Sequence, residues 1–113
     1  MSKRISIVIS DPWDLVTACG SGPFAGTCRE EAPYGVLVEL DEFIKYEGTN
    51  YNMAFCHLRH ADTAVADIYS GREISVNIGL VGTDASVDVK TVTMAAINLM
   101  RGIGAVGSVR VIP

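Results

Sequence analysis

Both histidines of the chain lie in one short stretch that also holds a thiol, a guanidinium and a carboxylate. The stretch runs from Cys56 to Asp62, with His57, Arg59 and His60 inside it. Thiolate, imidazole and carboxylate groups are the usual ligands of Zn²⁺, and a thiol beside an imidazole is the pairing of a cysteine nucleophile with its base. One hypothesis is therefore a small enzyme or metal-binding protein that uses Cys56, His57, His60 and Asp62.

The spacing of these residues gives little support to either chemistry. On a strand, His57 and His60 point to opposite faces, so they converge on a metal only if the strand ends between them. Cys19 and Cys28 are nine positions apart and lack the close spacing of a zinc knuckle. For a nucleophile, adjacency of Cys56 or Cys28 to a histidine in sequence does not create the required geometry. We therefore predict no catalytic residue, no metal and no cofactor.

An ordinary structural role explains the same stretch. Cys56 then packs as a small core residue, His57 and Arg59 face solvent, and Asp62 caps the following helix. A third functional alternative is that Arg59 and His60 bind an anion or the carboxylate of a partner. The functional and structural interpretations differ in whether these side chains converge, which depends on the fold.

The charge of the chain is unevenly distributed. The net charge is −4, yet residues 11–50 hold eight acidic side chains against two basic ones, a net charge of −6. One interpretation is a solvated acidic face that keeps a small domain soluble. The other is a docking surface, because complementary potential speeds association with a basic partner and rejects wrong ones. The candidate partner-binding residues are Asp14, Glu30, Glu31, Asp41, Glu42 and Glu47.

Composition limits the class of protein. A chain of 113 residues, 49% apolar and 19% charged, predicts a single globular domain over residues 1–113 rather than a disordered segment. The acidic balance argues against nucleic acid as partner, because neutralising phosphates needs a basic face. Three cysteines cannot pair completely, and no secretion signal or membrane-spanning run is visible. We expect a cytoplasmic protein without membrane contact.

The glycine-rich segment 20–26 resembles a phosphate-binding loop only superficially. Such a loop follows a strand, opens a helix and points successive backbone N–H groups at the anion. Here the glycines end a predicted helix, Pro23 removes a donor, and the lysine of the P-loop pattern is absent. This segment therefore gives no support to nucleotide binding.

Hydrophobic periodicity predicts six or seven strands and two or three short helices. The predicted strands are Lys3–Ser10, Phe24–Arg29, Tyr34–Leu40, the two arms of a hairpin over Phe43–Leu58, Arg72–Val81 and Ile103–Ile112. The predicted helices begin at Asp11 and Asp62, with a further helix over Thr91–Arg101, and residues 82–90 are compatible with strand or helix. The pairs Glu30-Glu31 and Asp41-Glu42 are expected in turn-like segments.

Side-chain roles follow from the same pattern. In the first helix, Asp11 is expected as the cap, Gly20 as the stop, and Trp13, Val16 and Leu15 as the buried side. The alternative for Trp13, which lies behind an acidic loop, is an interface hot spot. The aromatic residues of the central strands are expected in core and cross-strand packing. Stacking on nucleobases would need a basic groove beside the rings, and Lys45 is the only basic residue near them. These aromatic residues are Tyr34, Phe43, Tyr46, Tyr51 and Phe55.

The predicted fold is mainly β to α+β, a curled antiparallel sheet or small β-barrel. Strands interrupted by glycines near both termini favour closure of the sheet into a barrel, which removes exposed sheet edges. On this scaffold the leading hypothesis is a non-enzymatic binding protein, an acidic inhibitor or immunity-type protein that docks on a basic macromolecular partner. A further alternative is a homo-oligomeric structural domain, in which Tyr51–Leu58 or Ile103–Ile112 pairs across a two-fold axis.

Overall fold

A computed structural model describes residues 3–32, 34–60, 62–82 and 103–112. These residues form a closed barrel of six antiparallel strands with two short helices, which confirms the predicted fold class. The strands are β1 (Arg4–Asp11), β2 (Phe24–Ala32), β3 (Gly35–Tyr46), β4 (Thr49–Leu58), β5 (Ile74–Gly82) and β6 (Ile103–Val111), and the helices are α1 (Trp13–Cys19) and α2 (Val65–Ile68). The helix predicted over Thr91–Arg101 and the undecided residues 83–90 lie outside the described residues.

The strands follow one another around the barrel, and β6 pairs with β1 to close it. Both strands considered for pairing across a two-fold axis are therefore occupied on both sides. The strand β4 lies between β3 and β5, and β6 lies between β5 and β1. Their backbone N–H and C=O groups are used within the barrel, so neither strand offers a free edge to a second copy.

The core is built from the inward-facing residues of the strands and is closed at each end by a helix. Strand alternation places Ile5, Ile7 and Ile9 of β1 on the interior face, where each is at most 1% exposed. Leu15 of α1 and Ile68 of α2 are fully buried in the same cluster. Consecutive strands are antiparallel, so β1 and β4 run in opposite directions. Helix α1 follows β1 and helix α2 follows β4, so the two helices pack at opposite ends of the barrel, here called the α1 end and the α2 end.

Two glycines allow neighbouring strands to approach closely. A Cβ atom at Gly107 would overlap the carbonyl oxygen of Val8 on β1, and one at Gly35 would overlap the carbonyl oxygen of Cys56 on β4. Both obstacles are backbone atoms, which cannot swing aside as a flexible side chain can. The closure of so small a barrel therefore depends on the absence of side chains at these positions.

The helix caps differ from those predicted. Asp11 is the last residue of β1, and the N-cap of α1 is Pro12, without a side-chain hydrogen bond. At α2 the N-cap is Ala64, whose backbone N–H donates to the carboxylate of Asp67 at 2.8 Å, so Asp62 is not the cap. The predicted stop after α1 is confirmed, because Gly20 has a φ of 85°.

The acidic pairs lie in strands rather than in turns. Glu30 and Glu31 belong to β2, which continues to Ala32, and Asp41 and Glu42 belong to β3. The predicted strand Tyr34–Leu40, which begins at Gly35 in the structure, and the first arm of the predicted hairpin are therefore parts of one long strand. The hairpin itself is confirmed. Its turn is the pair 47–48, with φ values of 50° and 79°, as a two-residue turn of positive φ requires.

Neither helix among the described residues has the length and apolar character needed to cross a membrane.

Candidate functional site

A bulge in β3 produces an exposed acidic and aromatic segment near the α1 end. On β3, Glu39 pairs with Met53 and the next paired position is Ile44, opposite Tyr51. Four residues of β3 therefore stand against a single residue of β4. The extra residues cannot all join the ladder, so Asp41, Glu42 and Phe43 are pushed to the outside, where all three are exposed. The ring of Phe43 is 59% exposed.

Helix α1 presents a second exposed aromatic residue beside the end of β3. Leu15 points into the core, whereas Trp13, at the first position of the helix, is 77% exposed. Two hydrogen bonds join α1 to β3. The Tyr46 hydroxyl donates to Oδ2 of Asp14 at 3.2 Å, and the Cys19 thiol donates to the carbonyl oxygen of Lys45 at 3.2 Å. These contacts hold Trp13 and Asp14 next to the end of β3.

We call the exposed residues of these segments, which lie toward the same end of the barrel, the acidic–aromatic surface: Trp13, Asp14, Glu42, Phe43 and Glu47. Its members come from α1, from the β3 bulge and from the β3–β4 turn, and all five are exposed. Burial of the Tyr46 ring, followed by the hydrogen bond to Asp14 and the charges of Asp14 and Glu47, raises the pKa of Tyr46. The hydroxyl therefore stays protonated near neutral pH and keeps donating to Asp14.

Asp41 is next to this surface but its charge is compensated. Nη1 of Arg4 donates to Oδ1 of Asp41 at 2.8 Å and to the Thr27 hydroxyl at 2.9 Å, and the second guanidinium nitrogen bonds the other carboxylate oxygen. This bidentate hydrogen bonding from Arg4 holds the pKa of the Asp41 carboxyl below its ordinary value. Asp41 is thus one half of an ion pair between β1 and β3.

Glu30 and Glu31 lie at the opposite end of the barrel. They come near the end of β2, whereas Glu47 follows the far end of β3. Their neighbourhood contains Cys28 and Tyr69, whose sulfur and hydroxyl oxygen are 3.3 Å apart. Burial, then hydrogen bonds to Cys28 and Glu31, raise the pKa of Tyr69. The structure therefore divides the six predicted partner-binding carboxylates, and only Asp14, Glu42 and Glu47 belong to the acidic–aromatic surface.

The predicted Cys–His cluster is not brought together. Cys56 is fully buried in the core, where burial raises the pKa of its thiol to about 12, so the thiol stays protonated near neutral pH and lies away from the histidines' outer face. His57, the next residue on β4, is half-buried on the outer face, and His60 and Asp62 are exposed in the connection to α2. Within the described ranges, no group of three or more potential metal ligands converges.

Of the two aromatic members of the acidic–aromatic surface, the sequence predicts Phe43 in packing and Trp13 on the buried side of α1, with an interface role as the alternative for Trp13. The prediction that Trp13 is buried is wrong. The residues of α1 that face the core are Leu15 and, partly, Val16 and Cys19, and Trp13 stands two positions before Leu15, on the other side of the helix. The packing predicted for Phe43 is wrong too. Val36, Val38, Leu40 and Ile44 of β3 face the core, whereas Phe43 lies in the bulge between Leu40 and Ile44 and points outside with Glu42.

Of the other aromatic residues predicted in packing, Tyr51 and Phe55 are buried and Tyr46 packs against the core, whereas Tyr34 is 69% exposed at the α2 end.

Comparisons of this chain with protein-family models, with curated proteins and with solved structures find no match.

Proposed function

We propose that the protein is a non-enzymatic binding protein that docks on a basic macromolecular partner, as small inhibitor and immunity-type proteins do. The observation that carries the proposal is the pair of large exposed rings, Trp13 at 77% and Phe43 at 59%, among carboxylates at the α1 end. Large aromatic side chains supply much of the binding energy when a partner covers them. The carboxylates around them favour positive charge on that partner.

The local charge balance supports a basic partner. Asp14, Glu42 and Glu47 are exposed, and none of them takes part in a salt bridge within the described residues. Lys45 is the basic residue of the same strand end. Three carboxylates against one lysine leave a net negative potential that extends into solvent over roughly 10 Å at moderate ionic strength. This potential steers a positively charged surface toward the rings.

The proposal includes a reducing, cytoplasmic setting. In support, Cys19, Cys28 and Cys56 are all free thiols. Protein rather than nucleic acid is the partner, because phosphates would be repelled by the carboxylates beside the rings.

The test uses three immobilised forms of the protein to capture partners from a native lysate of its source cells. They are the wild type, the double reversal Glu42→Lys/Glu47→Lys, and the matched control Glu30→Lys/Glu31→Lys. Both double variants change the net charge equally, but only the first alters the acidic–aromatic surface. A captured protein supports the proposal only if the first variant loses it and the control retains it.

The retained protein is then purified, and its association with the wild type is measured at two ionic strengths. We expect the association rate to fall as salt is added, and Trp13→Ala to weaken binding by about 30-fold, the effect of losing one aromatic hot spot. Equal loss of the partner in both double variants contradicts the proposal, because net charge alone then explains capture. The absence of any protein that distinguishes the two variants also contradicts it.

A further inference from the structure

A second concave site lies at the α2 end, away from the acidic–aromatic surface. It is a groove of about 500 Å³ between the start of β3, the end of β4 and the connection to α2, lined by Tyr34, His57, Arg59, His60 and Thr63 among others. A groove of this volume is in the usual range for small-molecule sites, roughly 300–1,000 Å³. Its lining contains both histidines of a chain that has only two.

One wall of the groove is aromatic. The ring centroids of Tyr34 and His57 are 6.4 Å apart, and those of His57 and Phe55 are 6.1 Å apart. Both distances are within the range of paired aromatic rings, so the three form a continuous row. Phe55 is buried and supports the row, whereas Tyr34 is 69% exposed. The register partner of His57 on β3 is Gly35, which adds no side chain to this wall.

The His57 ring is held in one orientation. Its Nδ1 donates to the carbonyl oxygen of Leu58 at 2.9 Å, so the proton of the neutral ring resides on Nδ1. Nε2 is then left as the nitrogen available to a ligand. A fixed ring of this kind loses little conformational freedom when a planar molecule packs on it.

The rim of the groove carries one cationic side chain, that of Arg59, and the imidazole of His60. Arg59 and His60 are exposed there, and Arg59 has no salt-bridge partner among the described residues, unlike Arg4, Arg29 and Arg72. The planar fork of guanidinium N–H groups suits a planar anionic group such as carboxylate or phosphate, and no carboxylate of the described residues pairs with it. The Thr63 side chain adds a hydroxyl to the same lining.

From this combination we infer that the groove binds a small molecule consisting of a planar aromatic ring and one anionic group. The ring packs on Tyr34 and His57, and the phosphate or carboxylate pairs with Arg59 and His60. The inference is independent of docking at the α1 end, because the two sites share no residue.

The test is isothermal titration of the full chain with four probes. Adenosine 5′-monophosphate and indole-3-acetate each combine a ring with an anion, and they distinguish phosphate from carboxylate as the anionic group. Adenosine lacks the anion, and ribose 5-phosphate lacks the aromatic ring. We expect saturable binding of at least one combined probe, with Kd below about 1 mM, and at least ten-fold weaker binding of the probes that lack one part.

Variants assign the binding to the groove. Tyr34→Ala should weaken binding of the combined probe about ten-fold or more through lost stacking, and Tyr34→Phe, which keeps the ring, should retain it. Arg59→Gln should weaken binding about ten-fold or more, whereas the matched control Arg29→Gln, on the wall of β2, should not. The inference is overturned if neither combined probe binds, if adenosine binds as tightly as its monophosphate, or if Tyr34→Ala and Arg59→Gln bind like the wild type.

Discussion

Replacing Leu15 with alanine should destabilise the protein more than replacing Trp13, although tryptophan is the larger residue. Leu15 is fully buried, whereas Trp13 on the same helix is 77% exposed. A Leu→Ala change in a core costs roughly 2–5 kcal/mol. We expect about 3 kcal/mol here, because α1 lies at the barrel end and can settle into part of the cavity. Trp13 buries about a quarter of its surface, on the order of 50 Å², so its removal costs about 1 kcal/mol.

Urea unfolding followed by far-ultraviolet circular dichroism measures both free energies. With a slope of about 1.5 kcal/mol per molar urea, the midpoint should fall by about 2 M for Leu15→Ala and by less than about 1 M for Trp13→Ala. Leu15→Met is the control, because it keeps the side-chain volume and should cost less than about 1.5 kcal/mol. Equal destabilisation by the two alanine variants would refute the orientation of α1 and, with it, the exposure of Trp13.

Three further predictions concern other parts of the molecule. Gly107→Ala should lower the free energy of unfolding by roughly 1–3 kcal/mol, because the added Cβ meets the Val8 carbonyl oxygen. Gly48→Ala should lower it by about 1 kcal/mol, because only the φ of 79° is unfavourable there. Urea unfolding of both checks the order, and a larger loss at Gly48 contradicts it. Arg4 lowers the pKa of Asp41, so the stability that this carboxylate contributes is present above its unfolded pKa of about 3.9 and is lost as the pH falls further. Asp41→Asn should therefore flatten the acid side of the urea-midpoint profile, and a profile parallel to that of the wild type contradicts this. Burial raises the pKa of Cys56 to about 12, so its thiol should resist iodoacetamide until the protein is denatured. Mass spectrometry measures this labelling, and rapid labelling in the native state would restore Cys56 as a candidate nucleophile.

Strands with one face on the core could be predicted from the sequence. In β1 the inward residues Ile5, Ile7 and Ile9 alternate with more exposed ones, and the same period locates β5. The turn at Glu47 and Gly48 was also predictable, because a two-residue hairpin needs residues that tolerate positive φ. Local chemistry was decisive in each of these cases.

The bulge of β3 could not be predicted, because it depends on contacts between strands. Asp41 and Glu42 have the composition of a turn, yet they lie in a strand whose pairing continues on both sides of them. Which side of α1 is buried could not be predicted either, because it also depends on tertiary contacts. Trp13 and Leu15 are both apolar residues on a helix, and only the position of α1 on the barrel decides that Leu15 is buried and Trp13 exposed. The acidic–aromatic surface combines these two features, so the sequence indicated its acidic members, offered Trp13 only as an alternative to burial, and did not indicate Phe43.

Fluorescence quenching of Trp13 by ions of opposite charge tests the central claim most directly, because Trp13 is the only tryptophan in the chain. At constant ionic strength, and relative to free N-acetyltryptophanamide, Cs⁺ should quench the native protein more efficiently than I⁻. The preference should shrink in Glu42→Gln/Glu47→Gln and persist in Glu30→Gln/Glu31→Gln. Protection from both ions, or quenching by I⁻ that equals or exceeds that by Cs⁺, would contradict an exposed tryptophan within an acidic surface.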